Sequence, residues 1–66
     1  MNIVLNGQSK TLSGPTSVSA LIDALGYTGK RIAVERNGEI VPKSTYASTE
    51  LASGDRLEIV VAVGGG

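Results

Sequence analysis

The chain ends in Gly64-Gly65-Gly66, immediately after its longest apolar stretch, Arg56-Leu57-Glu58-Ile59-Val60-Val61-Ala62-Val63. The chemistry available at that end is that of a terminal carboxylate. ATP can activate a carboxylate inside another protein's pocket, and a backbone without Cβ atoms enters a channel that side chains would block. The same triplet also reads as a frayed end, since glycine packs nothing and disorder concentrates at termini. Side-chain chemistry is sparse. The sequence has no Cys and no His. That removes disulfides, thiolate and imidazole metal ligands, thiol redox chemistry, the Ser-His-Asp and Cys-His arrangements and a histidine pH switch. The acids Asp23, Glu35, Glu39, Glu50, Asp55 and Glu58 are scattered, and spacing pairs no two of them as acid and base, so solvated surface charge is the expectation for all of them. No helix follows the glycines to supply amide donors, so they are not a phosphate-binding loop. An enzyme is disfavoured.

Composition narrows the partners. Six Lys and Arg balance six Asp and Glu, and Tyr27 and Tyr46 are the only aromatic residues. A nucleic-acid binder normally carries a basic patch with stacking aromatics, so that class is disfavoured. The uncharged run Ile59 to Val63 is far short of the roughly 20 residues that span a bilayer. Met1 to Asn6 has no basic start and breaks at Asn6-Gly7, unlike a signal peptide. A soluble, cytoplasmic protein without membrane partners is expected. At 66 residues the chain makes one small domain.

The elements that must hold out this end can be read in order. Ile3-Val4-Leu5 is a β-forming run, Asn6-Gly7 supplies the two positive φ angles of a type I′ turn, and Gln8 to Leu12 returns with Lys10 facing water. Thr16 or Ser17 is placed to cap a helix. Val18, Leu21, Ile22 and Leu25 fall on one stripe of it, and Gly26 suits the left-handed residue just past its end. The stripe is too short to be stable alone and must pack on a sheet. Ile32 to Arg36 alternates as a half-buried strand, Asn37-Gly38 repeats the hairpin signal, and Glu39-Ile40-Val41 is its partner, stopped by Pro42. Lys43 to Ala52 predicts an irregular or single-turn helical connection from which Tyr46 and Leu51 reach back to the core. After the turn Ser53-Gly54-Asp55, the last strand puts Leu57, Ile59, Val61 and Val63 on one face and Glu58, Val60 and Ala62 on the other.

A final strand that is also the most apolar belongs in the middle of the sheet, inserted beside and parallel to the first. The long connection between the two permits the crossover that parallel pairing requires. The expected fold is therefore α+β, a β-grasp (ubiquitin-like) arrangement with a mixed sheet of four to five strands and one helix on one face. Residues 1–63 form the domain, and 64–66 a flexible tail. Val60 and Ala62, opposite the helix-facing side, leave apolar area beside the tail and are candidate partner-binding residues with Gly64, Gly65 and Gly66. Packing under the 43–52 connection is the competing account of Val60 and Ala62.

Ile32 to Lys43, then Leu51-Ala52-Ser53-Gly54-Asp55-Arg56-Leu57-Glu58-Ile59, and the end Val63-Gly64-Gly65-Gly66 resemble the sulfur-carrier family of thiamin thiazole biosynthesis, the ThiS family. Ile3 to Gly7 and Thr16 to Leu25 are similar to the same family, so the resemblance covers essentially the whole chain. Tyr46 departs from the Trp expected in many relatives, which bears on packing. The resemblance implies a chain that binds no cofactor itself. A ubiquitin-activating-enzyme-like adenylyltransferase uses ATP and Mg²⁺ to adenylate the Gly66 carboxylate, a persulfide donor supplies sulfur, and the Gly66 thiocarboxylate passes it to thiazole synthase. Gly65 and Gly64 give Gly66 its reach. The rival readings are a sulfur carrier for molybdopterin synthesis, a ubiquitin-like modifier that forms isopeptide bonds through Gly66, and a passive binding module.

Overall fold

Both Asn-Gly pairs turn the chain as their chemistry dictates. In the computed structural model, which describes residues 1–62, Asn6 and Gly7 have φ of 50° and 81°, and Asn37 and Gly38 have φ of 53° and 85°. Each pair closes a hairpin: β1 (Asn2–Leu5) with β2 (Gln8–Thr11), and β3 (Ile32–Arg36) with β4 (Glu39–Ile40). The last strand, β5 (Arg56–Val61), lies between the hairpins in the order β2-β1-β5-β3-β4. It runs parallel to β1, with Val4 opposite Arg56 and Leu5 opposite Leu57, and antiparallel to β3, from Ile32 opposite Val61 to Arg36 opposite Leu57. This is the expected β-grasp topology with five strands. The expected strand Glu39-Ile40-Val41 ends one residue early, although the Val41 N–H still donates to the Val34 carbonyl at 2.9 Å.

Helix α1 (Val18–Ala24) has only seven residues and depends on its ends. Ser17 caps it through its side chain, accepting from the Ala20 N–H at 3.1 Å. The N–H groups of Val18 and Ser19 have no partner inside the helix and donate to the carbonyls of Thr49 and Tyr46. The 43–52 connection, which contains a 3₁₀ helix at Lys43–Thr45, is thereby pinned to the start of α1. At the other end Gly26 is left-handed, at φ 76°, and the Gly26 and Tyr27 N–H groups donate to the carbonyls of Asp23 and Ile22. That is the Schellman closure.

The expected stripe packs the core. Val18, Leu21 and Ile22 of α1 meet Ile3, Val34, Leu57 and Ile59 of the sheet, with Val41 and Leu51 closing the sides and Tyr46 partly buried against them. Full burial of such a side chain stabilises by about 1.5–3 kcal/mol, the dominant favourable contribution in a domain this small. Two expectations fail. Lys10 is half-buried, because the register sets it opposite the buried Ile3. Asp55 is buried rather than solvated. The expectations for Val63 and for the tail 64–66 lie outside the described residues.

Candidate functional site

The residues expected to carry the chemistry follow the end of β5 in the chain. Backbone polar groups alternate along a strand between its two neighbours. The Val4 and Asn6 N–H groups donate to the carbonyls of Asp55 and Leu57 at 2.9 Å each, but β1 ends at Leu5, so Ile59 has no strand beside it on that side. The Asn6 side chain takes the missing strand's place: its Oδ1 accepts from the Ile59 N–H at 2.8 Å and its Nδ2 donates to the Ile59 carbonyl at 3.2 Å. Beyond Ile59, β3 alone flanks β5, and the Ala62 N–H donates to the Arg31 carbonyl at 2.8 Å. The central strand therefore leaves the sheet with its last described residue still anchored on one side.

The start of β5 is held by a buried carboxylate. Asp55 is 6% exposed. Its Oδ2 accepts from Arg36 Nε and from the Ala52 N–H, both at 2.8 Å, and its Oδ1 accepts from Asn37 Nδ2 at 3.1 Å. Asn37 also accepts from the Arg56 N–H through Oδ1 and donates its own N–H to the Arg56 carbonyl. Burial works to raise the Asp55 pKa, but the hydrogen bonds from Ala52, Arg36 and Asn37, with the Arg36 charge, outweigh it and hold the carboxyl below its ordinary value of 3.8. The network ties the 52–55 turn to the β3–β4 hairpin and sets where β5 begins. No sequence period marks Asp55. The available signal was its place after a Gly that enters a strand, opposite an Asn-Gly turn.

The sheet face away from α1 divides in two. Toward the tail, Ala33 stands opposite Val60, with Ala62 beyond, and all three are exposed, Val60 at 64%. Packing under the 43–52 connection is thus excluded for Val60 among the described residues. Further from the tail the face is charged, with Glu35 opposite Glu58. Ile40, opposite Glu35 on β4, is 67% exposed and adds apolar surface at the edge. Sequence reasoning missed Ala33 and Ile40, because the strand register that sets them on this face is a tertiary fact. Of the expected site residues, Val60 and Ala62 lie together on β5 and just past it, whereas Gly64, Gly65 and Gly66 lie outside the described residues. Among the described residues no cluster of three or more acids is placed to hold a metal ion, and no helix is long and apolar enough to cross a membrane. The arrangement offers an apolar patch on the sheet next to the last described residues.

Comparison with known proteins bears on what the arm carries. The ThiS family model matches residues 3–66. The sulfur carrier protein ThiS of Bacillus subtilis is 38% identical over 63 residues, covering 94% of this chain and 96% of that protein. A thiazole synthase of Paramagnetospirillum magneticum is 48% identical over 66 residues, all of this chain but only 20% of that protein, so the chain spans a fifth of that relative. The crystal structure of a thiamine biosynthesis protein (ThiS) from Geobacter metallireducens superposes with a TM-score of 0.84 at 32% identity, with 100% of both chains covered.

Proposed function

The chain belongs to the ThiS family, and from that premise we propose that it is the sulfur carrier of thiamin thiazole biosynthesis, with Gly66 as the residue that carries the sulfur. The observation that supports this most is that the family match runs from residue 3 to residue 66 and so takes in the terminal glycines. A β-grasp body whose central strand is the last described element suits the role, because the reactive group must enter another protein's pocket while the body stays outside.

The chemistry follows from a carboxylate's weakness as an electrophile. The Gly66 carboxylate attacks the α-phosphate of ATP in an adenylyltransferase of the ubiquitin-activating-enzyme type, and pyrophosphate leaves. The acyl-adenylate then has AMP as a good leaving group. The terminal sulfur of a persulfide donor displaces AMP, and a thiol cleaves the resulting acyl disulfide, taking up the donor sulfur and releasing the Gly66 thiocarboxylate. That soft nucleophile is what thiazole synthase consumes. Gly65 and Gly64 provide the narrow, Cβ-free approach. ATP and Mg²⁺ belong to the adenylyltransferase, so this chain is the substrate of its partners rather than a catalyst. The match to a thiazole synthase that contains a region similar to this chain supports the same partner.

Val60 and Ala62, joined by Ala33, are the proposed docking patch beside the arm. Incubating the chain with the adenylyltransferase, ATP and a persulfide donor should raise its intact mass by the difference between sulfur and oxygen, with the change located at Gly66. An unchanged mass with an active adenylyltransferase overturns the reading, and lysine-linked conjugates of Gly66 in cells would point to a modifier instead.

A further inference from the structure

Strand β3 has five residues, but its partner β4 has two, so one edge of β3 is half covered. The Arg31 carbonyl accepts from Ala62 and the Asn37 N–H donates to Arg56, which turns the backbone groups of residues 31, 33, 35 and 37 toward β5. Those of Ile32 and Val34 face the other way, and there the Val34 carbonyl is met by the Val41 N–H. Pro42 then carries the chain off the sheet into the 3₁₀ helix, and the Ile32 N–H and carbonyl have no hydrogen-bond partner among the described residues. They open into a groove of about 600 Å³ that passes from Ile22, Tyr27 and Tyr46 on the helix side around Ile32 to Val60 and Ala62. Lys30, Arg31 and Lys43 line it, and among the described residues none of the three is ion-paired. Asp23 is the one acid on its wall, and its carboxylate accepts from the Thr28 hydroxyl.

We propose that this groove is where thiazole synthase docks, by laying an extended segment with an apolar residue between acidic ones along the open half of β3. The assignment of thiazole synthase as a partner rests on the proposed function. An unpaired strand edge takes an extended segment through main-chain hydrogen bonds, and the pockets beside it choose the side chains. Here the apolar floor selects one side chain and the cationic rim selects its neighbours. A second copy of this chain is a poor occupant, because edge-to-edge pairing sets Lys30, Arg31 and Lys43 against the same cations. The groove continues onto Val60 and Ala62, so one partner can cover the edge and the patch together while it receives the arm. So short an edge gives a weak contact by itself. In relatives that combine this region with thiazole synthase in one chain, a weak contact suffices, because the tether raises the effective concentration.

The test is amide hydrogen exchange of the full chain, free and bound to purified thiazole synthase. The Ile32 N–H should exchange freely in the free chain and slow by about 10-fold or more in the complex. The double charge reversal Lys30→Glu with Lys43→Glu should weaken binding by about 10-fold, with the loss shrinking as salt rises, and leave the melting temperature in place. Protection of Ile32 in the free chain would mean that the tail or a second copy covers the edge, and overturns the proposal. So does an Ile32 amide that stays exposed in the complex, unchanged affinity of the charge-reversed variant, or no binding. Loading by the adenylyltransferase is measured on the same samples. A chain that is loaded and donates sulfur with Ile32 exposed throughout loses only the docking inference, whereas a chain that is never loaded loses the carrier reading.

Discussion

Replacing Asp55 by Asn keeps the shape of the side chain and removes its charge, which makes it a sharp probe of what holds the start of β5. The wild-type Oδ2 receives two donors, Arg36 Nε and the Ala52 N–H, and Oδ1 receives Asn37 Nδ2. An amide at this position must set its own NH₂ against at least one of these donors. The better orientation keeps the amide oxygen on Arg36 Nε and the Ala52 N–H and sets the NH₂ against Asn37 Nδ2, so the lost charge assistance costs about 1.5–3 kcal/mol and the stranded Asn37 Nδ2 about 1–3 kcal/mol. The Arg36 side chain is 34% exposed and can turn to water, which discounts the first of these. A destabilisation of about 2–3 kcal/mol results. A domain of this size has roughly 3–10 kcal/mol in total, so the melting temperature should fall by roughly 10–20 °C. The folded-state pKa lies below the ordinary 3.8, so the carboxylate's contribution is complete above that value and is lost as pH falls through the folded pKa. Thermal melts of wild type and Asp55→Asn should therefore differ most at neutral pH and converge in acid. Equal melts at neutral pH, or a gap that persists in acid, would refute the reasoning.

Asn6→Gly keeps the positive φ but loses both bonds to Ile59, so it should cost about 1–2 kcal/mol in urea titrations, and exchange of the Ile59 amide should accelerate. Asn6→Ala should cost more, because it adds backbone strain to the same loss. Gly26→Ala places a Cβ in open space at φ 76°, so calorimetry should find only the conformational penalty of about 1–2 kcal/mol and no steric term. Val60→Glu should change stability by less than about 0.5 kcal/mol, since the side chain is exposed, while lowering the rate of adenylation measured by pyrophosphate release. Normal adenylation of the folded variant would remove Val60 from the docking patch. Deleting Gly66 should abolish loading and leave the melt unchanged.

Local chemistry explains how much of the fold could be read from residues. The Asn-Gly pairs specify their turns through φ, the Val18-Leu21-Ile22 stripe specifies a buried helix face, and Gly26 specifies where that helix ends, since each signal acts within a few residues. The central position of β5 was also legible, because its apolar content left no better place for it. Asp55 was misread because Arg36 and Asn37, which satisfy its buried carboxylate, lie 19 and 18 residues away, and Lys10 because the hairpin register that sets it opposite Ile3 shows only in the assembled sheet. Asn6 was read as a turn residue alone, and its second role, standing in for a strand beside Ile59, appears only when residues 53 apart in sequence meet.

The sequence by itself determined the absence of thiol and imidazole chemistry, the glycine end of the chain and the elements that carry it, because composition and short-range periodicity do not depend on how the elements assemble. The tertiary structure alone decided that Ala33 stands opposite Val60, that Asp55 is buried and bonded to Arg36, and that among the described residues β4 covers only part of the β3 edge. Each depends on how separate segments of the chain assemble: a shift of one residue between β3 and β5 would turn Val60 to the opposite face from Ala33.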